Sequence, residues 1–259
     1  MAEPPLFRIV QRYSEYLRAT IPAIISEHDD MYAKGEQGAL AHYFSVGRSA
    51  VELIVSAMVA AGKTDVRTVL DLPCGGGRVT RHLGTLFPEA QIFVSDLNKD
   101  KERFVVDTFD ARPIASASDF LTEPERTFDL IFAGSLVTHL DAEMFKRSTS
   151  WFIRALAPDG LLVLTTHGRR HAYLQRSIRS WIAPEQWETA RQSWLAGGFG
   201  YVAYENYSDY GLSSSSPSWV IRLVEHEPTT RIVSFQEGGW DDHQDALVVQ
   251  KRALDDEDP

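Results

Sequence analysis

Between Arg67 and Gly168 the chain alternates two kinds of segment, and that alternation restricts its fold more than any other feature. RTVLDL, AQIFVSDL, TFDLIFAGSL and LLVLTTHG are near-continuous apolar runs, with little polar alternation. A strand apolar on successive residues has to be covered on both faces, which indicates a parallel sheet flanked by helices. GRVTRHLGTLF, NKDKERFVVDTF and DAEMFKRSTSWFIRAL lie between them and read as helices. RPIASASD reads as a further short strand, and APDG as a turn.

The flanks follow different patterns. Val46, Ala50, Leu53, Ile54, Ala57, Met58 and Ala61 recur at helical spacing, and Gly62 is placed to stop that helix. The preceding residues read as helix and loop, with a turn near AKGEQG. Residues 169–230 break the strand–helix rhythm and are rich in aromatics and serine. There Ser216 is placed to cap a helix that starts at Pro217. RIVSFQE, a Gly-Gly turn and DALVVQKR close the chain, too near each other for a helical crossover, so they pair antiparallel. The expected fold is α/β and Rossmann-like, a mostly parallel sheet with one antiparallel strand. It divides into a helical N-terminal extension over 1–62, a core over 63–168, an insertion over 169–230, and a closing strand pair with an acidic tail over 231–259.

Composition removes several classes of function. The 259 residues carry a formal charge of −10, which disfavours nucleic acid as a partner. Part of that excess is the tail DDEDP, read as a solvated end. Cys74 is the single cysteine, which excludes an internal disulfide and a cysteine-based zinc site. No apolar run approaches the roughly 20 residues that span a bilayer, and the charged N-terminus lacks a signal-peptide core. A soluble, cytoplasmic protein with no membrane span is expected. Oligomeric state stays open, a homo-oligomer included.

The stretch VLDLPCGGGRVTRHL, Val69–Leu83, joins the first strand to the first helix of the alternation. In open parallel sheets, ligands bind beyond the carboxyl ends of the strands where strand order reverses. Gly75 and Gly77 let backbone approach a ligand where a Cβ would collide. Asp96, about 20 residues on at the end of the second strand, is placed to accept the hydroxyls of a ribose. A dinucleotide fingerprint has a third glycine, but Thr80 stands there. Asp71, just before the glycines, would repel a pyrophosphate and suits a cationic ligand such as an α-amino group or a sulfonium. The pattern points to S-adenosylmethionine rather than NAD.

Asp71–Gly77 resembles the first motif of class I S-adenosylmethionine-dependent methyltransferases. FDLIFAGSLVTHL and LAPDGLLVLTT look like that family's fourth- and fifth-strand motifs. The resemblance implies that Asp96 holds the ribose, with Leu97 beside it. It implies that Asp119 meets the adenine amino group, and that Phe120 and Ser135 also belong to the cofactor site. The core then binds the cofactor, and the insertion caps the acceptor. Pro73 departs from the family's first glycine, so the close approach falls to Gly75 and Gly77. Cys74 reads as a small buried filler.

Methyl transfer to oxygen needs a base for the acceptor's proton, and histidine is the commonest. His139, His167 and His243 fall at the ligand-binding edge. His243, flanked by Asp242 and Asp245, is the first candidate and His167 the second. His28, His42, His82, His171 and His226 read as surface or helix residues. No pair shows a metal-ligand spacing, and HDD at His28–Asp30 reads as a solvated loop, so no metal is expected. Tyr201, Tyr204, Tyr207, Tyr210 and Trp219 offer faces for a sugar or an aromatic metabolite; Tyr201 and Tyr204 read equally well as part of a packed strand. IPAIISEHDDMYAKG, HYFSVGRSA, YGLSSSSPSWV and WDDHQDALVVQK resemble a bacterial methyltransferase subgroup associated with glycan biosynthesis. The resemblance implies O-methylation of a small-molecule or glycan hydroxyl. A non-sugar acceptor and a non-catalytic binding module are the alternatives.

Overall fold

A computed structural model of the chain describes residues 4–115, 119–178 and 181–252. Two helices come first, α1 (Pro5–Arg18) and α2 (Ala39–Ala61). The alternating region gives β1 (Thr68–Asp71), α3 (Thr80–Leu86), β2 (Gln91–Val94), α4 (Lys99–Phe109), β3 (Arg112–Pro113), β4 (Phe128–Ala133), α5 (Ala142–Arg154) and β5 (Leu156–Thr166). Then come α6 (Arg169–Ser177), α7 (Pro184–Gly197), β6 (Phe199–Ala203), β7 (Gly211–Ser215) and α8 (Pro217–Glu225). The chain closes with β8 (Thr230–Trp240) and β9 (Gln244–Lys251).

Seven strands form one sheet in the order β3-β2-β1-β4-β5-β9-β8. Strands β1 to β5 pair parallel, and β9 runs antiparallel to both β5 and β8. That leaves β8 parallel to β5, so the β8–β9 turn opens at the carboxyl edge of the parallel strands. The continuous apolar runs have the expected cause. Val69, Leu130 and Val163 point into one core with α2 and α3, while Leu70, Ile131 and Leu162 point into a second core with α5 and α8.

Helix α2 departs from the expectation about membrane spans. Its 23 residues are long and apolar enough to cross a bilayer, with a mean hydropathy of 1.5 over an 18-residue window. The face carrying Val46, Ala50, Ile54, Ala57 and Met58 is buried in the first core, so this is a core helix. Gly62 ends it in the left-handed region, its N–H donating to the Met58 and Val59 carbonyls.

Two strand readings shift. Of RPIASASD only Arg112 and Pro113 pair in the sheet, and residues 116–118 lie outside the described set, as does the DDEDP tail. The closing turn is not at the Gly-Gly pair. Gly238 takes φ +61° within an irregularity of β8, and its N–H donates to Asp245 Oδ1 at 2.9 Å. The glycine bends the strand, and the reversal falls three residues on, with Asp241 and Asp242 at positive φ.

Between β5 and β8, strands β6 and β7 pair antiparallel as a separate two-stranded sheet, and Tyr201 lies in it. Ala172, Ile182, Trp187 and Leu212 form a small core of their own. Ser216 caps α8 by accepting the Trp219 N–H, with Pro217 the first helical residue, as the sequence predicts.

Candidate functional site

Sheet order reverses between β1 and β4, and the glycine turn sits at that point. Gly75 and Gly77 adopt φ +51° and +79°, a region open to glycine. A Cβ on Gly75 would meet nothing within 4 Å, so the turn presents an open side there. Asp96 Oδ2 accepts the Gly75 N–H at 2.9 Å, and its Oδ1 accepts the Asn98 N–H at 2.8 Å. Cys74 is buried beneath the turn, where burial pushes its thiol pKa up, in keeping with a filler.

Asp71 is 1% exposed and accepts the Thr80 hydroxyl at 2.6 Å. Burial raises its pKa to about 7, with Thr80 opposing and Asp96 adding to the rise. Thr80, which replaces a dinucleotide-type glycine, therefore pins the helix start to the strand end. The open backbone, a carboxylate at the end of the second strand and a buried acid bonded to a neutral hydroxyl fit a ligand that has both a diol and a cationic end.

The N-terminal loop covers the turn, a contribution the sequence did not reveal. A Cβ on Gly76 would lie 2.3 Å from Asp29 Oδ2. Asp29 accepts the Tyr43 hydroxyl at 2.6 Å, and the buried Arg81 donates to the Pro22 and Ile24 carbonyls. His28 and Asp30 are exposed as expected, but Asp29 is buried and is no solvated loop residue. Asp30 pairs with Lys101 of α4 at 2.7 Å.

The remaining implied cofactor residues take distinct positions. Leu97 is 71% exposed. Asp119 is exposed and accepts the Leu121 N–H, whereas Phe120 is buried against Trp151 and Phe152. Ser135, at φ +61°, donates its N–H to Thr165 Oγ1 and accepts from Gln244 Nε2. Thr165 in turn donates to Gln244 Oε1 at 2.6 Å. This network ties the ends of β4, β5 and β9 together. Thr165 and Gln244 carry no motif that would have marked them.

The three candidate histidines gather at the same edge. His139 follows β4, and its Nδ1 lies 2.9 Å from the Gly211 carbonyl. A carbonyl only accepts, so Nδ1 carries the proton and Nε2 the lone pair. Tyr204 Oη lies 3.2 Å from that nitrogen, and the ring stacks on Tyr210 at 4.8 Å. His167 directly follows β5, with its Nδ1–H directed to the Ser213 carbonyl at 3.2 Å. His243 stacks on Trp181 with ring centroids 5.0 Å apart. Of its flanking carboxylates, Asp242 pairs with Arg170, while Asp245 accepts from Gly238 through Oδ1 and its buried Oδ2 has no hydrogen-bond partner. His171 joins the group, its ring 3.6 Å from that of His167. The sequence reads His171 as a surface or helix residue; it lies in α6, fully buried at this edge. Burial lowers the pKa of His139 and His171, the latter to about 3, and drives that of His167 well down.

This strand order, with a glycine turn at its switch point and an acid after β2, defines the Rossmann-like fold of class I S-adenosylmethionine-dependent methyltransferases. A family profile described as a methyltransferase domain matches residues 7–196, and the chain belongs to that family. No curated protein sequence matches it. Among solved structures it resembles Streptomyces venezuelae DesVI at 17% identity and TM-score 0.56, over 89% of this chain and 100% of that one. It also resembles CalS10, an amino pentose methyltransferase from Micromonospora echinaspora, at 16% identity and TM-score 0.55, over 87% and 100%. The N-methyltransferase NodS from Bradyrhizobium japonicum, solved with S-adenosylhomocysteine, matches at 14% and TM-score 0.53, over 95% and 98%. At such identities the likeness speaks for the fold alone.

Proposed function

We propose that this methyltransferase acts on a hydroxyl of a sugar or glycan, with His139 as the base. The observation that carries this reading is the setting of His139. Its Nδ1–H is held by the Gly211 carbonyl, which leaves Nε2 free of that bond, and its ring lies against a tyrosine cluster. Tyr207 and Tyr210 are 59% and 43% exposed, and such faces stack well on the C–H face of a sugar ring. When bound, S-adenosylmethionine supplies a methyl group already activated on a sulfonium. Asp96 would accept the ribose hydroxyls and Asp71 would face the cationic end, with Gly75 giving backbone access, while the space beside Gly77 is filled by Phe109 and Val105 of α4. Leu97, Asp119 and Ser135 would complete the cofactor side, with Phe120 supporting it from the core. The chain's own work is to position the acceptor, exclude water and take one proton at His139 Nε2. Of the sequence candidates, His243 has one flanking carboxylate, Asp242, paired with Arg170, and His167 is almost fully enclosed. The test is a screen of sugar and nucleotide-sugar acceptors that reads S-adenosylhomocysteine release. Turnover confined to amine acceptors would overturn the hydroxyl assignment.

Two outcomes follow from the same geometry. Replacing Tyr207 and Tyr210 by alanine should raise acceptor KM roughly tenfold, the scale of one or two aromatic contacts. Calorimetric affinity for S-adenosylhomocysteine should stay within twofold; equal loss of both would place these rings in the cofactor site or the core.

The second concerns pH. Asp71 is half-protonated near pH 7 in the free chain, and only its ionised form attracts the ligand's ammonium group. Affinity for S-adenosylhomocysteine should therefore rise between about pH 6 and pH 8, by at most tenfold per unit on the acid side. Asp71→Asn should flatten that dependence, and an unchanged slope would remove Asp71 from the role. The same raised pKa has the opposite sign for stability. The folded state keeps a proton that the unfolded state has released, so the free chain loses stability as pH rises from about 4 to 7.

A further inference from the structure

We propose that His167, His171 and His243 form a site for one divalent transition metal of the zinc class. One ring nitrogen from each lies within 4.8 Å of the other two. The residues come from the end of β5, the first turn of α6 and the β8–β9 turn, so the fold assembles a donor set that sequence spacing hides. His171 is fully buried, and neither of its ring nitrogens has a hydrogen-bond partner. Buried polar atoms of folded proteins are nearly always satisfied, and one without a protein partner calls for another, such as a water or an ion. His167 shows the complementary arrangement. Its Nδ1–H is directed to the Ser213 carbonyl, which leaves Nε2 as the donor atom, the outer-shell bond that metal-bound histidines usually make.

The donor chemistry selects the ion. Three neutral imidazoles suit zinc, nickel or copper and not magnesium or calcium, which prefer oxygen. A tetrahedral ion with bonds of about 2.0–2.1 Å needs nitrogens about 3.4 Å apart. The closure from 4.8 Å is a matter of side-chain rotation, in which the His167 and His171 rings, now face to face at 10°, fan open. Three protein ligands leave a fourth position, the pattern of an ion that also binds water or substrate. The His139 ring lies 6.4 Å from that of His167, so the site adjoins the proposed base. A role in orienting the acceptor oxygen rests on the function proposed above; the binding of the metal does not.

Cobalt(II) is a suitable probe, because a tetrahedral nitrogen site gives it visible absorption bands. The full chain, stripped with a chelator, should bind one equivalent of cobalt with those bands, and zinc should displace it. His171→Ala and His243→Ala should each weaken cobalt binding by more than about 100-fold, beyond the effect of an outer-shell change. His226→Ala, on an exposed residue, should bind as wild type. Each variant should keep its S-adenosylhomocysteine affinity within twofold, which shows that it is folded. A wild-type chain that binds S-adenosylhomocysteine but no cobalt tighter than millimolar would overturn the site and leave the methyltransferase assignment standing. Cobalt binding unchanged in both variants would overturn it equally.

Discussion

His139→Ala should lower kcat by about 10²–10⁴-fold, the contribution typical of a general base. S-adenosylhomocysteine affinity should change less than twofold, since His139 is remote in role from the glycine turn. Alanine also removes the bond to Gly211 and the stacking on Tyr210, so a second variant is needed. In His139→Asn the side-chain amide can still donate to the Gly211 carbonyl, while the imidazole Nε2 is gone. Both variants should be slow, and added imidazole should restore part of the rate to His139→Ala. If His139→Asn keeps more than a third of wild-type kcat, the base lies elsewhere, and His243 and His167 are next to be tested in the same assay.

Asp96→Asn should weaken S-adenosylhomocysteine binding by roughly 10–100-fold, corresponding to about 1.5–3 kcal/mol for hydrogen bonds to a charged acceptor. The conservative variant is preferred to alanine because Asp96 also accepts the Gly75 and Asn98 N–H groups. Asparagine's single side-chain oxygen can serve only part of that set, so some loss comes through the turn. Thermal unfolding of the free chain separates the two contributions. A Tm shifted by only a few degrees alongside the affinity loss assigns the effect to the ligand. Affinity within twofold of wild type, with Tm unchanged, would remove Asp96 from the cofactor site.

Much of this architecture is readable before any coordinates. Continuous apolar runs such as Leu161–Leu164 must be covered on both faces, and each face does pack into its own core. Ser216 before Pro217 and Gly62 after Ala61 end or begin helices through local backbone chemistry alone. Asp71, Gly75, Gly77 and Asp96 are recognisable because they sit at strand ends a set distance apart along the chain. Local rules failed where a contact competed with them. Gly238-Gly239 looks like a turn, yet Asp245 captures the Gly238 N–H and the strand continues to Trp240. Helix α2 is apolar enough for a bilayer, and only its neighbours show that its apolar face is spent on the core.

The sequence by itself determined the parallel sheet, the glycine turn and the acids at its strand ends, because periodicity, φ requirements and strand-end placement are properties of short stretches. Tertiary structure alone decided which groups from distant stretches meet. It brought Asp29 onto Gly76, Gln244 onto Thr165 and Ser135, and His171 and His243 onto His167. Those pairings depend on the relative placement of elements up to about a hundred residues apart, set by sheet order and by the packing of two cores. A sequence reading sees eight histidines, but only the fold can place three of their rings within reach of one ion.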